Sequence, residues 1–268
     1  MRCAVNRRGV TLVECAVALA AGGALLAALH GLLLATGRAR ALQSARLEVR
    51  RATRTVAAAL RAELQLVSAG AGDLLAVSDT ALTLRASRGL ALACGGSGGR
   101  VVVQADVFTG VRAPDPTRDG VRLWTDAGAW YTGSLTSTGA APCGDGSPGL
   151  ALDVVPPPAA SVPVGAPVLL TEIVEYRLYA DGEGVRWFGV RGRTGSGWSA
   201  TSPIAGPLRE RDGLQIALLD ARGQGTGRPD SAALVAVRVR ARAAGVVHAG
   251  GGRLVAAEDS LRFSVAVP

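Results

Sequence analysis

The sequence predicts an α+β protein, in which one long N-terminal helix (a membrane span plus an amphipathic stem) precedes an antiparallel β-rich head. Three observations indicate this class. Residues Val10–Ala35 are almost wholly apolar, the next thirty or so repeat their apolar positions every three or four residues, and the remainder alternates apolar and polar residues. The first two patterns are typical of helices and the third of strands.

The N-terminal apolar segment is long enough to cross a bilayer. Val10–Ala35 contains 26 residues, and about 20 suffice to span the hydrocarbon. From Thr36 the polarity changes without a helix breaker, and Arg and Gln occupy one face. The helix should end near Val67, before the glycines of "SAGAGD". The other face carries a predicted stripe of Leu42, Ala45, Val49, Ala52, Val56, Ala59, Leu60 and Glu63.

The rest of the chain reads as strands separated by Gly, Pro, Asp or Ser. The stretch "YADGEGVRW" (179–187) predicts a hairpin, because Asp-Gly supplies the positive φ that tight turns need. The stretch "PPPAASVPVGAP" (156–167) predicts a stiff connector. Nine segments alternate: 81–87, 100–107, 120–126, 150–155, 168–180, 183–193, 214–221, 233–243 and 259–267.

These patterns divide the chain into a short leader (1–9), a span (10–35), a stem (36–69) and a head (70–268). The formal net charge is +8, and ten of the 29 basic residues lie in the leader and stem. Residues 62–268 contain 19 Arg and 19 acids, so their summed charge does not support a nucleic-acid interface. We therefore predict no nucleic-acid contact for the head.

The stem carries seven arginines, which we interpret first as a solvated helix face. The alternative is attraction to anionic lipid headgroups or to an acidic face of another protein. These residues are Arg38, Arg40, Arg46, Arg50, Arg51, Arg54 and Arg61.

The four cysteines fall into two groups. Cys3 precedes the apolar segment and Cys15 lies within it, whereas Cys94 and Cys143 lie downstream beside Gly-rich turns. If the head is exported, Cys94 and Cys143 are candidates for a disulfide; two separate buried thiols are the alternative.

Glu14 lies near the start of the apolar segment, where a charge is costly to place in lipid and should have a partner. No positive side chain lies within one turn on the apolar side. If the chain were cut between Gly9 and Val10, the new Val10 amine would lie about 6 Å from Glu14 along the helix axis. A neighbouring copy shifted along the axis could bring its own amine against Glu14. The acid would then set the offset between adjacent helices in an assembly, which explains its presence in an apolar segment.

The segment "RRGVTLVE" (7–14) resembles the processing site of type IV prepilins and type II secretion pseudopilins. In that family a basic leader ends at a glycine, and Glu is the fifth mature residue. The resemblance implies that a prepilin peptidase cleaves after Gly9 and N-methylates Val10, and that Glu14 pairs with the N-terminal amine of an adjacent subunit. Here Val10 replaces the commoner Phe, and Cys15 replaces an apolar residue.

The head resembles the J-type minor pseudopilins and the PilW-like minor pilins. It repeats their order of a Tyr-containing hairpin, a strand ending in Asp-x-x-Gly and a closing strand pair. The retained Glu14 argues against the tip-most K type, which usually lacks that acid. The segments that carry this resemblance are "IVEYRLYADGEGVRW", "PLRERDGLQIALLDARGQG", "DSAALVAVRVRARA" and "DSLRFSVAVP".

The resemblance implies a non-enzymatic subunit that helps initiate or cap a type IV pilus-like or type II secretion filament. Its partners would be a prepilin peptidase, other major and minor (pseudo)pilins, an inner-membrane assembly platform and membrane lipid. The chain would be a single-pass protein of the cytoplasmic membrane with an extracytoplasmic head. Positive-inside counting favours the opposite orientation, with three Arg before the span and at least six soon after, although long domains translocate despite such charges.

Other classes fit less well. A cleaved secretory signal has a shorter apolar core without an acid, whereas a membrane-anchored extracytoplasmic β-domain binding protein that never assembles is the main alternative. "GGSGG" (95–99) matches a nucleophile elbow but is followed by a strand rather than a helix. The only histidines are His30, inside the apolar segment, and His248, so the head has a single histidine, too few for a catalytic triad or a zinc site. The stretch "DARGQGTGRPD" (220–230) lacks the alternating acids of a calcium loop. We predict no catalytic residue, metal site or cofactor.

Overall fold

The computed structural model describes residues 11–243, 247–248 and 254–267. One α-helix, α1 (Leu12–Leu64), is followed by a large antiparallel sheet. The predicted α+β class is therefore confirmed. At about 1.5 Å per residue, the 53 residues of α1 extend about 80 Å.

The helix is continuous from the apolar segment into the stem. It ends at Leu64, three residues before the predicted end, because the amides of Leu66 and Val67 bond the carbonyls of Glu63 and Leu64 in tight turns. The predicted stripe packs on the sheet: Leu42, Ala59 and Glu63 are half-buried, and Ala45, Val49, Ala52, Val56 and Leu60 are buried.

The strands of the described chain are paired antiparallel throughout. In chain order they are β1 (Leu74–Ser78), β2 (Ala81–Ser97), β3 (Arg100–Gln104), β4 (Thr109–Gly110), β5 (Asp119–Trp124), β6 (Trp130–Pro142), β7 (Pro148–Val155), β8 (Pro167–Ala180), β9 (Arg186–Thr194), β10 (Gly197–Trp198), β11 (Ser202–Leu208), β12 (Leu214–Leu219), β13 (Gly225–Thr226), β14 (Leu234–Arg242), β15 (Val247–His248), β16 (Leu254–Val255) and β17 (Glu258–Ala266). A turn of 3₁₀-helix, Pro229–Ser231, precedes β14.

Each of the nine predicted segments contains a strand, but three further strands of five residues or more were not predicted. Strand β6 is rich in Gly, Ser, Thr and Ala, and most of it is exposed, so it lacks an apolar alternation. Strand β11 contains two prolines and a glycine, which argue against a strand. Strand β1 is a short apolar run that breaks register with β2.

The hairpin predicted at 179–187 forms between β8 and β9, with a correction to its turn. Positive φ occurs at Gly184 rather than at the Asp-Gly glycine. The Asp181 carboxylate accepts the amides of Glu183 and Val185, and Asp181 N–H donates to the Val185 carbonyl. The loop is thus a turn followed by a left-handed glycine rather than a two-residue turn.

Six strands close into a ring at one end of the head. Strands β2, β3, β7, β6, β5 and β8 pair in that order, and β8 pairs again with β2. Small aliphatic side chains fill the interior, as a narrow barrel requires. They include Val101, Val103, Val121, Leu123, Leu152 and Val154.

The other core lies between the stem and the sheet. The long strands β2 and β8 continue out of the ring into this second layer, where β9, β11, β14, β12 and β17 extend the sheet. The stem covers one face of it. The buried side chains at this contact include Val49, Val56, Leu60, Leu64, Leu82, Phe188 and Val235.

Candidate functional site

The first half of α1 extends away from the head, and no other part of the described chain covers it. Every residue of the segment 11–41, which we call the exposed arm, is exposed. A continuous apolar surface of this size is typical of a membrane or protein interaction site. One helix near the N-terminus is therefore apolar and long enough to form a single membrane span. Its exposed large side chains include Leu12, Val13, Leu19, Leu26, Leu32 and Leu33.

Glu14 lies in the first turn of the exposed arm, where it completes a capping box with Thr11. The Glu14 amide donates to Thr11 Oγ1 over 3.3 Å, and the Thr11 amide donates to Glu14 Oε2 over 2.9 Å. The positive end of the helix dipole also favours a carboxylate here. Glu14 therefore has a role inside its own chain that sequence reasoning missed, although the T-x-x-E pattern signals it.

The cap leaves part of the Glu14 carboxylate available. Both Thr11 bonds to this carboxylate use Oε2, and within the described residues Oε1 accepts no hydrogen bond. An ionised carboxylate has about four acceptor positions, so a neighbouring amine can bind while the cap stays intact. The predicted processing residues Gly9 and Val10 lie outside the described residues. Cys15 and His30 are also exposed on the arm.

All seven stem arginines are exposed, so the buried stripe and the basic face lie on different sides of α1. Arg38 and Arg40 belong to the exposed arm, and the other five lie along the docked stem. The guanidinium of Arg61 lies 4.5 Å from the ring centre of Phe263 in β17. A basic face beside an apolar span matches the charge pattern that anionic lipid headgroups attract.

An ion network fixes the last turns of the stem to the head. Arg88 of β2 joins Glu63 of α1, with Nη1–Oε1 at 3.0 Å, to Glu172 of β8, with Nε–Oε2 at 2.9 Å. The Tyr176 hydroxyl donates to Glu63 Oε1 over 2.9 Å. Burial, together with the Glu63 charge, raises the pKa of Tyr176 far above its usual value, so this donor stays protonated.

Arg112 extends this network towards the ring. It donates to both carboxylate oxygens of the buried Asp119 and reaches Glu172 at 3.2 Å. The hydrogen bonds to Asp119, with a smaller contribution from Glu172, raise the pKa of Arg112 above its usual value. Sequence reasoning placed Glu63 on the stripe but could not find its partners, because residues 63, 88, 112 and 172 have no local pattern in common.

Cys94 of β2 and Cys143, which follows β6, are joined by a disulfide with their Cα atoms 5.3 Å apart. The bond links two strands of the ring region across 49 residues of sequence.

Replacing both Cys94 and Cys143 by serine is expected to lower the free energy of unfolding by about 4 kcal/mol, the chain-entropy value for a loop of this length. Urea unfolding of the full chain in detergent, followed by tryptophan fluorescence with and without reductant, measures it. Cys15→Ser, which removes the exposed free thiol, is the matched control. An unchanged midpoint after reduction would contradict the prediction.

The motifs that resemble catalytic or metal-binding sites lie at strand ends and in turns. "GGSGG" ends β2 and opens the β2–β3 turn, with positive φ at Gly98 and Gly99. Asp220 accepts the amides of Arg222 and Gln224, whereas Asp230 pairs with Arg228. The side chain of His248 lies outside the described residues.

No family model, curated protein or solved structure matches the chain. The function of the chain is therefore inferred from the exposed arm, the geometry of Glu14 and the docking of the stem on the head.

Proposed function

We propose that this chain is a minor pilin or pseudopilin, a structural subunit that helps initiate or cap a type IV pilus-like or type II secretion filament. The exposed arm carries this proposal: an uncovered apolar helix, with Glu14 in its first turn, leads without a break into a stem packed on a β-rich head. Such a helix can lie in the membrane before assembly and among neighbouring helices afterwards. The resemblance of "RRGVTLVE" to prepilin processing sites supports it.

In this proposal the leader is cut after Gly9 by a prepilin peptidase, and the Val10 amine is methylated. The chain is first a single-pass protein of the cytoplasmic membrane with an extracytoplasmic head, where a disulfide is favoured. Assembly then brings it together with other major and minor (pseudo)pilins at an inner-membrane platform. Its role is structural and not enzymatic.

A second candidate is a membrane-anchored extracytoplasmic β-domain binding protein that does not assemble. The capping box favours it, because the Thr11 hydrogen bonds explain an acid at position 14 without a neighbouring subunit. The two candidates differ in how the N-terminus is processed and in what Glu14 does.

Mass spectrometry of the N-terminal peptide, recovered from the native membrane, tests the proposal. A pilin-like subunit is expected to begin at Val10 and to carry one added methyl group. A chain beginning at Met1 or Arg2 would support the static anchor. A chain beginning near Arg38 would indicate a cleaved signal and a free head, and would contradict both candidates.

A further inference from the structure

Strand β17 forms an edge of the sheet that covers the stem. It pairs with β14 over all nine residues, Glu258 to Ala266, without a register shift. On its other side, no strand pairs with it among the described residues. Edge strands of this length are usually protected by charged side chains, bulges, prolines or a covering element. Strand β17 has a regular, unbroken register, and its exposed charges are Glu258 and Arg262. Its outer backbone groups can therefore pair with another extended chain.

The face of this edge turned away from the stem carries two arginines without acidic partners. Arg238 of β14 and Arg262 of β17 lie directly opposite each other. In the described part of the chain, no carboxylate lies within salt-bridge distance of either one. Asp212, a nearby acid, is already bound to Arg240 and Arg209. Arg238 Nε is moreover buried without a hydrogen-bond partner.

The two charges are unfavourable to each other, since like charges directly opposite on neighbouring strands destabilise a sheet. Desolvation, followed by the charges of Arg240 and Arg262, lowers the pKa of Arg238. A carboxylate placed beside Arg238 and Arg262 would relieve this repulsion and supply the missing acceptor.

Small side chains next to the arginines leave room for such a group. Ala217, Ala236 and Ser264 lie opposite one another on β12, β14 and β17, one step along the same face from Arg262. Together with both arginines they line a shallow depression of about 700 Å³, and Asp79, which also lines it, is not within salt-bridge distance of either arginine. An incoming chain can therefore approach this face closely.

The stem holds β17 in place from the other side. Thr53 donates to Asp259 over 2.7 Å, and Arg61 lies over the Phe263 ring. Leu261, Phe263 and Val265 are only half-buried on this face. These contacts attach β17 to the stem, and apolar side chains from an added strand would complete the burial of its inner face.

We propose that the free edge of β17 receives an extended segment of a neighbouring, different subunit, which places an acidic side chain beside Arg262 and Arg238 and apolar side chains beside Phe263. Backbone pairing would supply affinity, and the alternating side chains would supply specificity. This inference rests on the proposed function and names the chemistry of one partner surface.

A second copy of this chain fits poorly. Antiparallel pairing of all nine β17 residues with themselves is centred on Arg262 and places the two Arg262 side chains opposite each other. The site therefore favours an acidic strand from another protein.

Labelling of a single cysteine tests this proposal. Ser264→Cys is introduced into the full chain with Cys3→Ser and Cys15→Ser, and its reaction with a hydrophilic maleimide is timed in native membranes and in detergent. The matched control is Ser196→Cys, an exposed serine beside β10. For Ser264→Cys we expect the labelling rate in membranes to be lower than the rate in detergent by about tenfold or more. For Ser196→Cys we expect the two rates to be equal.

Adding Arg262→Glu, or Arg262→Gln to remove the charge alone, should bring the labelling rate in membranes up to the rate that the same variant shows in detergent, which serves as its reference because the neighbouring charge also changes the thiol pKa. Equal rates in both states, or protection that survives both Arg262 variants, would overturn the proposal. Co-purification of two differently tagged copies with loss of that contact in Arg262→Glu would overturn the choice of a different subunit. The N-terminal mass reports the proposed function separately: a methylated Val10 start with equal labelling rates overturns only the β17 contact.

Discussion

Glu14→Leu is expected to remove this chain from filaments while leaving it in the membrane. The substitution deletes the carboxylate that we propose pairs with a neighbouring N-terminal amine. The loss should be roughly tenfold or more, as for one charge-assisted hydrogen bond. The measurement is the fraction of chain that co-sediments with sheared filaments, against the fraction retained in the membrane.

Thr11→Val distinguishes the two roles of Glu14. It removes the hydroxyl that accepts the Glu14 amide but keeps the carboxylate, so incorporation should stay near wild type if the neighbouring amine is the important partner. Glu48→Gln, on the exposed face of the docked stem, controls for loss of one negative charge. Filaments that contain the Glu14→Leu chain at wild-type level would contradict the assembly role, and equal loss in both variants would assign the defect to helix capping.

Arg88→Met is expected to destabilise the docked head by about 3 kcal/mol, the lower end of the range for removing one partner from a buried ion pair, because Arg88 and Glu63 are only half-buried. The substitution leaves Glu63 and Glu172 without the cation that links them. Glu63 keeps only the Tyr176 hydroxyl from this group, and Glu172 keeps Arg112. The measurement is urea unfolding of the full chain in detergent, followed by tryptophan fluorescence.

Arg100→Met is the matched control, since the Arg100–Asp153 pair is similar in length but lies on the surface, with the Arg100 side chain 66% exposed. Solvent screens such pairs, so its urea midpoint should not move measurably. If the urea midpoint of Arg88→Met were also unchanged, the network would not stabilise the docking of the stem on the head.

Most secondary structure followed from local patterns. The stripe from Ala45 to Leu60 repeats with the helical period, and β8 and β14 alternate clearly, so burial on one face could be predicted without knowing the partner surface. Strand β6 could not be predicted, because its Gly, Ser and Thr residues are held by pairing with β5 and β7 rather than by burial. The Gly184 turn shows the same limit, since Asp181 and its amide partners decide which glycine adopts positive φ.

Local patterns predict an apolar helix from Val10, an amphipathic stem after it and alternating strands beyond, because each of these signals lies within a few consecutive residues. The closure of six strands into a ring, the Arg88 link between Glu63 and Glu172, and the position of Arg238 opposite Arg262 are seen only in the folded chain. These contacts join residues far apart in the sequence. Their geometry depends on strand register, which no short segment specifies alone.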